Sequence, residues 1–193
     1  MDVKHMPPGV EGFRYILVTV CAITRYMVAI PLKRADAKSI AEGILKIKFQ
    51  FGLPSLLVSD LGAENCNQLT AYLCDALGIK HTAVSPFNHQ ALRAERAIQT
   101  LSNYLKSNLT ERGRDWPIYI APTVYAYNTQ THMTTKESPY YLLFARYPNT
   151  LPSINYQPIS DIKTSYREYA QYLRDRLECI GQEIIKLETK NQL

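Results

Sequence analysis

The chain has 193 residues, 46% of them hydrophobic and 20% charged, which suits one packed domain or a domain with an appendage. Its net charge of +5 and its pI near 9.0 fit a polyanionic partner, although many proteins with no nucleic-acid role are equally basic. No apolar run approaches the roughly 20 residues of a membrane-spanning helix, residues 1–12 hold no apolar stretch followed by a small-residue cleavage site, and the four cysteines (Cys21, Cys66, Cys74 and Cys179) form no CxxC pair, which argues against a zinc ribbon and for reduced thiols in an intracellular protein.

A short strand holding Asp2 opens the chain. Residues 13–22, FRYILVTVCA, are rich in β-branched and aromatic types, and YMVAIPL follows after a break at Thr24 and Arg25; the two runs predict a hairpin. Asp36 is placed to cap a helix over AKSIAEGILKIKFQF, in which Ile40, Ala41, Ile44 and Leu45 recur with helical period, Gly43 weakens the pattern, and Gly52 and Pro54 end it. SLLVSD reads as a short strand ending in Asp60. A helix from about Gln68 to Leu77 closes at Gly78, and IKHTAVS is the next strand. After a loop at Pro86–Gln90, the residues Ala91, Ala94, Ile98, Leu101 and Leu105 form a helical stripe. Trp116 to Tyr127 is a further helix with Pro117 in its first turn. An irregular stretch from Pro148 to Pro158 leads to a charged amphipathic helix over Ser165–Lys190, so the expected division is a core of residues 1–150 and an appendage of residues 151–193. A hairpin followed by alternating strands and helices implies an α/β fold with a mixed sheet and helices on its faces.

Asp60 lies at the carboxyl end of a strand, where open α/β sheets place their active sites. Glu95 sits one position off the apolar stripe of its helix, at the edge of the buried face, with Gln99, Ser102 and Lys106 on the same side. Asp2 is expected on a central strand beside Asp60. Three convergent carboxylates are hard oxygen ligands suited to Mg²⁺ or Mn²⁺, and a pair of such ions serves in-line phosphoryl displacement. Without metal, such acids repel one another and raise a pKa. Judged on these residues alone, a turn acid at Asp60 and an exposed helix acid at Glu95 is the simpler reading, because the chain has 17 acids from which to choose three.

The blocks around these acids carry a more specific signal. GFRYILVTVCAITRYMVAIPLKRADAKSIAEGI, FGLPSLLVSDLGAENCNQL, LGIKHTAVSPFNHQALRAERAIQTL and WPIYIAPTVYAYNTQTHMTTKESPYYLLFARYP follow one another from Asp2 to Pro148. In order and spacing they resemble the integrase catalytic core of retroviruses and long-terminal-repeat retrotransposons, the gypsy-like elements above all. The resemblance implies a ribonuclease H-like fold with a five-stranded mixed sheet flanked by helices. It implies Asp2, Asp60 and Glu95 as catalytic metal ligands for Mg²⁺ or Mn²⁺, and two reactions at one site, the trimming of 3′ ends by water and the attack of the freed 3′ hydroxyl on target DNA. It also implies DNA as partner, a homo-oligomer when complete, no membrane association, and a place in the nucleus during integration.

Between Asp2 and Asp60 lie 57 residues, and between Asp60 and Glu95 lie 34. The second gap is one residue shorter than is commonest in the family, and the difference falls in the loop NHQALRAE. Asn65 stands where an aromatic is typical, and Cys21 where many relatives have Asp. Met1 directly precedes the first acid, and the family's zinc-binding N-terminal domain and most of its C-terminal DNA-binding domain are not represented, so the chain resembles a fragment of a larger polyprotein. Asn88, His89 and Gln90 are candidate contacts to DNA ends or plain polar loop residues. Arg93, Arg96, Gln99 and Lys106 are candidate DNA contacts or solvated surface groups. His5 and His81 read as structural or solvated. Two other readings stand beside the strand transferase: a non-catalytic DNA-binding or assembly fragment of the same fold, and a nuclease of that fold acting on RNA–DNA hybrids.

Overall fold

The computed structural model describes residues 1–59, 68–83, 91–108 and 113–148, with isolated positions between 168 and 182. The chain divides into two compact units, one of residues 1–22 and 27–127, the other of residues 23–26 and 128–193. The boundary expected near residue 150 lies outside the described residues.

The first unit begins with three antiparallel strands, β1 (Asp2–His5), β2 (Tyr15–Val20) and β3 (Met27–Leu32), in the order β1-β2-β3. The predicted hairpin is therefore present, in register from Tyr15↔Leu32 to Val20↔Met27. Pro31 is tolerated in β3 because that strand is at the edge of its sheet, where a missing N–H costs no ladder bond. A second sheet pairs β4 (Leu56–Ser59) with β5 (Lys80–Ala83) in parallel. Parallel neighbours require a crossover, and α2 (Gln68–Ala76) lies in it. The unit also holds α1 (Ala37–Phe51), α3 (Ala91–Asn108) and, up to Tyr127, α4 (Trp116–Thr129).

Strand alternation sorts the core onto two faces. Ile16, Val18 and Met27 pack with Ala97, Ile98, Leu101 and Leu105 of α3 and with Trp116 and Ile120 of α4. Leu17, between the first two, joins the opposite cluster with Leu32, Ile40 and Ile44 of α1, Leu57 of β4, Cys74 of α2 and Ile79. Each fully buried aliphatic side chain of this kind is worth about 1.5–3 kcal/mol. Asp36 caps α1 as expected, accepting the Ser39 N–H at 2.9 Å. Gly43 has a reason beyond helix propensity: a Cβ there would stand 2.5 Å from Cδ2 of the fully buried Leu17, so its absence lets α1 lie close to β2. Gly52 ends α1 at φ 83° and Gly78 follows α2 at φ 68°.

Among the described residues the strands pair as a sheet of three and a sheet of two, where a sheet of five was expected. The sheets meet where the Met1 ammonium donates to the Val58 carbonyl at 2.7 Å. The residues that follow Ser59 lie outside the described set.

In the second unit Ser138 caps α5 (Pro139–Phe144), its Oγ accepting the Tyr141 N–H at 3.1 Å, with Pro139 in the first helical position. Phe144 stands edge-on to Tyr26 at 5.7 Å between ring centroids. Described positions between 168 and 182 are helical, with Gln171 Nε2 donating to Asp175 Oδ1 at 2.7 Å, while most of the expected Ser165–Lys190 helix lies outside the described residues. No helix among the described residues is long and apolar enough to cross a membrane.

Candidate active site

Asp2 opens β1 opposite Val18 of β2. Cross-strand partners share a face, and Val18 is fully buried against α3, so Asp2 stands on the face of the sheet that α3 covers. Its Oδ1 accepts the Val3 N–H at 2.7 Å, which fixes the carboxylate at the start of the strand. Asp2 is half-buried.

Beside it, the bond from Met1 to Val58 brings the start of β1 to the end of β4. Ser59, the last described residue of β4, is 1% exposed, and its Oγ lies 3.0 Å from Nε2 of His81 on β5. Burial and the nearby Met1 ammonium, in that order, push the His81 pKa below its usual value, so the ring is neutral at pH 7. Asp60, next in sequence, lies outside the described residues, as do Asn88, His89 and Gln90.

Glu95 is in α3 and exposed. Ile98, three residues on, is buried, so Glu95 borders the packed face as the sequence pattern predicts. The stripe itself is Ala97, Ile98, Leu101 and Leu105; Ala97 was not anticipated, and the side chains of Ala91 and Ala94 lie outside the description. Gln99, Arg96 and Lys106 are exposed, and Ser102 turns its hydroxyl inward to the Ile98 carbonyl at 2.7 Å. The Arg93 side chain also lies outside the described set. Asp2 and Glu95 thus belong to elements on one side of the sheet. Among the described residues, three or more His, Cys, Asp or Glu side chains do not cluster as a metal-holding group.

His81 was read as structural or solvated, and its bond to Ser59 went unforeseen. The two are 22 positions apart, and only the parallel register, with Leu57 beside His81, sets them on the same face. His5 is exposed and stands edge-on to Tyr15, 5.1 Å between centroids.

Residues 1–89 match the family model described as the integrase core domain. The chain is 30% identical over 177 residues to the retrovirus-related Pol polyprotein from transposon 412 of Drosophila melanogaster, across 90% of this chain and 14% of that one. It is 25% identical over 151 residues to gypsy retrotransposon integrase-like protein 1 of Bos taurus, across 78% of this chain and 30% of that one. The chain therefore spans less than a third of either relative. A stretch covering nine-tenths of this chain necessarily includes position 95, which the family model does not reach. Among solved structures, a chain of the simian T-cell lymphotropic virus intasome matches at TM-score 0.61 and 19% identity, over 78% of this chain and 54% of that one. The catalytic core domain of BIV integrase matches at TM-score 0.59 and 20% identity, over 75% of this chain and 92% of that one.

Proposed function

Because this chain belongs to the integrase core family of retroviruses and long-terminal-repeat retrotransposons, we propose that it is the catalytic core of a retroelement integrase, a polynucleotidyl transferase that trims and joins DNA 3′ ends. The observation that carries the reading is the Met1–Val58 hydrogen bond. It sets the strand that begins with Asp2 beside the strand that leads to Asp60, in the layer that α3 and Glu95 flank. The same bond, and the core cluster shared by residues of both sheets, support a single five-stranded layer in the order β3-β2-β1-β4-β5.

In this reading Asp2, Asp60 and Glu95 hold two Mg²⁺ or Mn²⁺ ions. The donors fit: Asp2 and Glu95 are carboxylates with access to solvent, and hard oxygens suit these cations. The metals would activate the attacking oxygen and stabilise the leaving one. The residues of the chain do the remaining work. The three carboxylates would concentrate negative charge at one rim of the sheet, where they would hold the cations. Exposed Gln99 and Lys106, on the same helix as Glu95, hold the DNA backbone, with Arg93, Asn88, His89 and Gln90 as further contacts. In trimming, the oxygen of water bonds to phosphorus as the 3′ oxygen of the element end departs and takes up a proton. In joining, the freed 3′ oxygen bonds to a target phosphorus and a target 3′ oxygen departs. Both steps are displacements at phosphorus, so one site serves both.

The fold-level likeness to a chain of an intasome supports assembly of several copies on DNA, and joining to chromosomal DNA puts the activity in the nucleus. The test uses the chain extended at both ends, Mg²⁺ or Mn²⁺, and oligonucleotides bearing the element's terminal sequence. Metal-dependent 3′ trimming that Asp60→Asn abolishes is the expected result. Cleavage of RNA–DNA hybrids with no trimming would favour a ribonuclease, and no metal-dependent chemistry at all would favour a non-catalytic DNA-binding fragment.

A further inference from the structure

One cation stands on the same strand and the same face as the first carboxylate, and the chemistry proposed above leaves it without a task. In β1, Asp2 lies opposite Val18 and Lys4 opposite Ile16, and both partners are buried in the cluster that α3 completes. Met6, two residues further on, belongs to that same cluster, while Val3 packs with the cluster on the other face. Alternation therefore puts Asp2 and Lys4 together on the side of the sheet that carries α3 and Glu95. Both are half-buried. Among the described residues, Lys4 has no ion-pair or hydrogen-bond partner.

A lysine at this position has a cost and a use. Two strand residues advance about 6.6–6.8 Å, so a positive charge stands close to a carboxylate that would hold a divalent cation. Like charges at that range repel, and Lys4 works against metal binding as long as nothing else enters the site. The use appears when DNA is present. The step from Asp2 to Lys4 is close to the separation of neighbouring phosphates along one DNA strand. With the scissile phosphate beside Asp2, the next phosphate comes within reach of Lys4. A lysine stem can lie along apolar neighbours such as Ile16 and Met6 and still present its charge to a ligand.

We propose that Lys4 is a DNA-positioning residue: its ammonium binds the phosphate next to the scissile one on the same strand and so sets the register of the DNA against Asp2. The proposal rests on the integrase-core reading above. A contact of this kind positions the strand and reads no sequence.

The test uses the chain extended at both ends and a fluorescein-labelled duplex with the element's terminal sequence. Lys4→Met keeps the stem and removes the charge, and Lys4→Arg keeps the charge. Lys4→Met should melt as the parent does and, without DNA, should bind Mn²⁺ at least as tightly. It should bind the duplex about tenfold more weakly and lower the log–log slope of affinity against salt by about 0.9. Lys4→Arg should recover most of the affinity. Duplexes with one neutral methylphosphonate, stepped along the strand, locate the contact. Neutralising the phosphate beside the scissile one should weaken binding by the parent and leave that of Lys4→Met unchanged. Parental affinity and salt slope in Lys4→Met would overturn the proposal, and so would methylphosphonate losses that add to the Lys4→Met loss at every position. A lowered melting temperature with weaker Mn²⁺ binding in Lys4→Met would overturn it too, because the lysine would then be structural only. Failure of the wider reading looks different: the parent would trim no DNA with Mg²⁺ or Mn²⁺, or Asp2→Asn would trim at the parental rate, and the proposal would fall with it.

Discussion

Asp2 stands directly across from Val18 in the β1–β2 ladder, and Val18 is sealed under α3. The strand's alternation thus decides which side of the sheet the first carboxylate faces, and it is the side that carries Glu95. If both acids serve one metal site, divalent cations should stabilise the fold through both. Saturating Mn²⁺ should raise the melting temperature of the chain, and Asp2→Asn or Glu95→Gln should each remove most of that rise. Without metal, either variant should stay within about 0.5 kcal/mol of the parent, since an asparagine at position 2 can still accept the Val3 N–H. Equal Mn²⁺ shifts in parent and Asp2→Asn melts would take Asp2 out of the site.

Gly9 should not tolerate a side chain. A Cβ there would meet Nε1 of Trp116 at 2.7 Å and Cγ of Pro117 at 2.9 Å. Trp116 is fully buried and held by its Nε1 donating to the Pro7 carbonyl at 2.8 Å, so the ring cannot move aside cheaply. Overpacking of this kind costs about 1–3 kcal/mol. Urea denaturation of Gly9→Ala should show a loss in that range with an unchanged slope. Parent-like stability would mean that the 7–13 loop shifts freely away from α4.

Acid should loosen the second unit through His132. Burial, then the Arg25 charge, push the His132 pKa below its usual value of 6.5. Its Nδ1 accepts the Thr134 N–H at 3.2 Å, a role that a proton on that nitrogen removes. The folded chain therefore binds this proton less readily than the unfolded chain. Stability from this group is complete above pH 6.5 and declines as pH falls below it toward the folded value. The melting temperature should fall across that window, and His132→Gln should flatten the fall. His81 is shifted in the same direction, so the double variant with His81→Gln should be flatter still.

Local patterns gave up most of the fold. The hairpin follows from two β-branched runs around Thr24 and Arg25. Asp36 as a cap, the α1 stripe and the α3 stripe follow from helical period and capping chemistry; the cap, the α1 stripe and, of the α3 stripe, Ile98, Leu101 and Leu105 are in place. The helix expected over Trp116 to Tyr127 is present as α4, with Pro122 inside it, because packing of Trp116 and Ile120 outweighs the propensity cost. Two features were not legible, each for a physical reason. α5 is only six residues, too short for a periodic signature, and depends on the Ser138 cap and Pro139. How the start of β1 and the Val58 region of β4 meet was also hidden, because residue periodicity does not encode pairing between distant strands. At the site, Asp2 and Glu95 were chosen from motif spacing and stand on elements of one side of the sheet. Ser59 and His81 stayed hidden because strand register, and not sequence distance, makes them neighbours.

The central claim is that the carboxylates of this chain carry metal-dependent strand transfer. Its most direct test is a joining assay with the chain extended at both ends, pre-trimmed element-end oligonucleotides, target DNA and Mg²⁺ or Mn²⁺, run for the parent and for Glu95→Gln. Glutamine keeps the shape and removes the charge that would hold the cation. DNA affinity should survive, since it rests on lysine and arginine contacts to phosphate. The account predicts joining by the parent that vanishes without divalent metal, and no joining by Glu95→Gln at unchanged DNA binding. Joining by Glu95→Gln at the parental rate would contradict it.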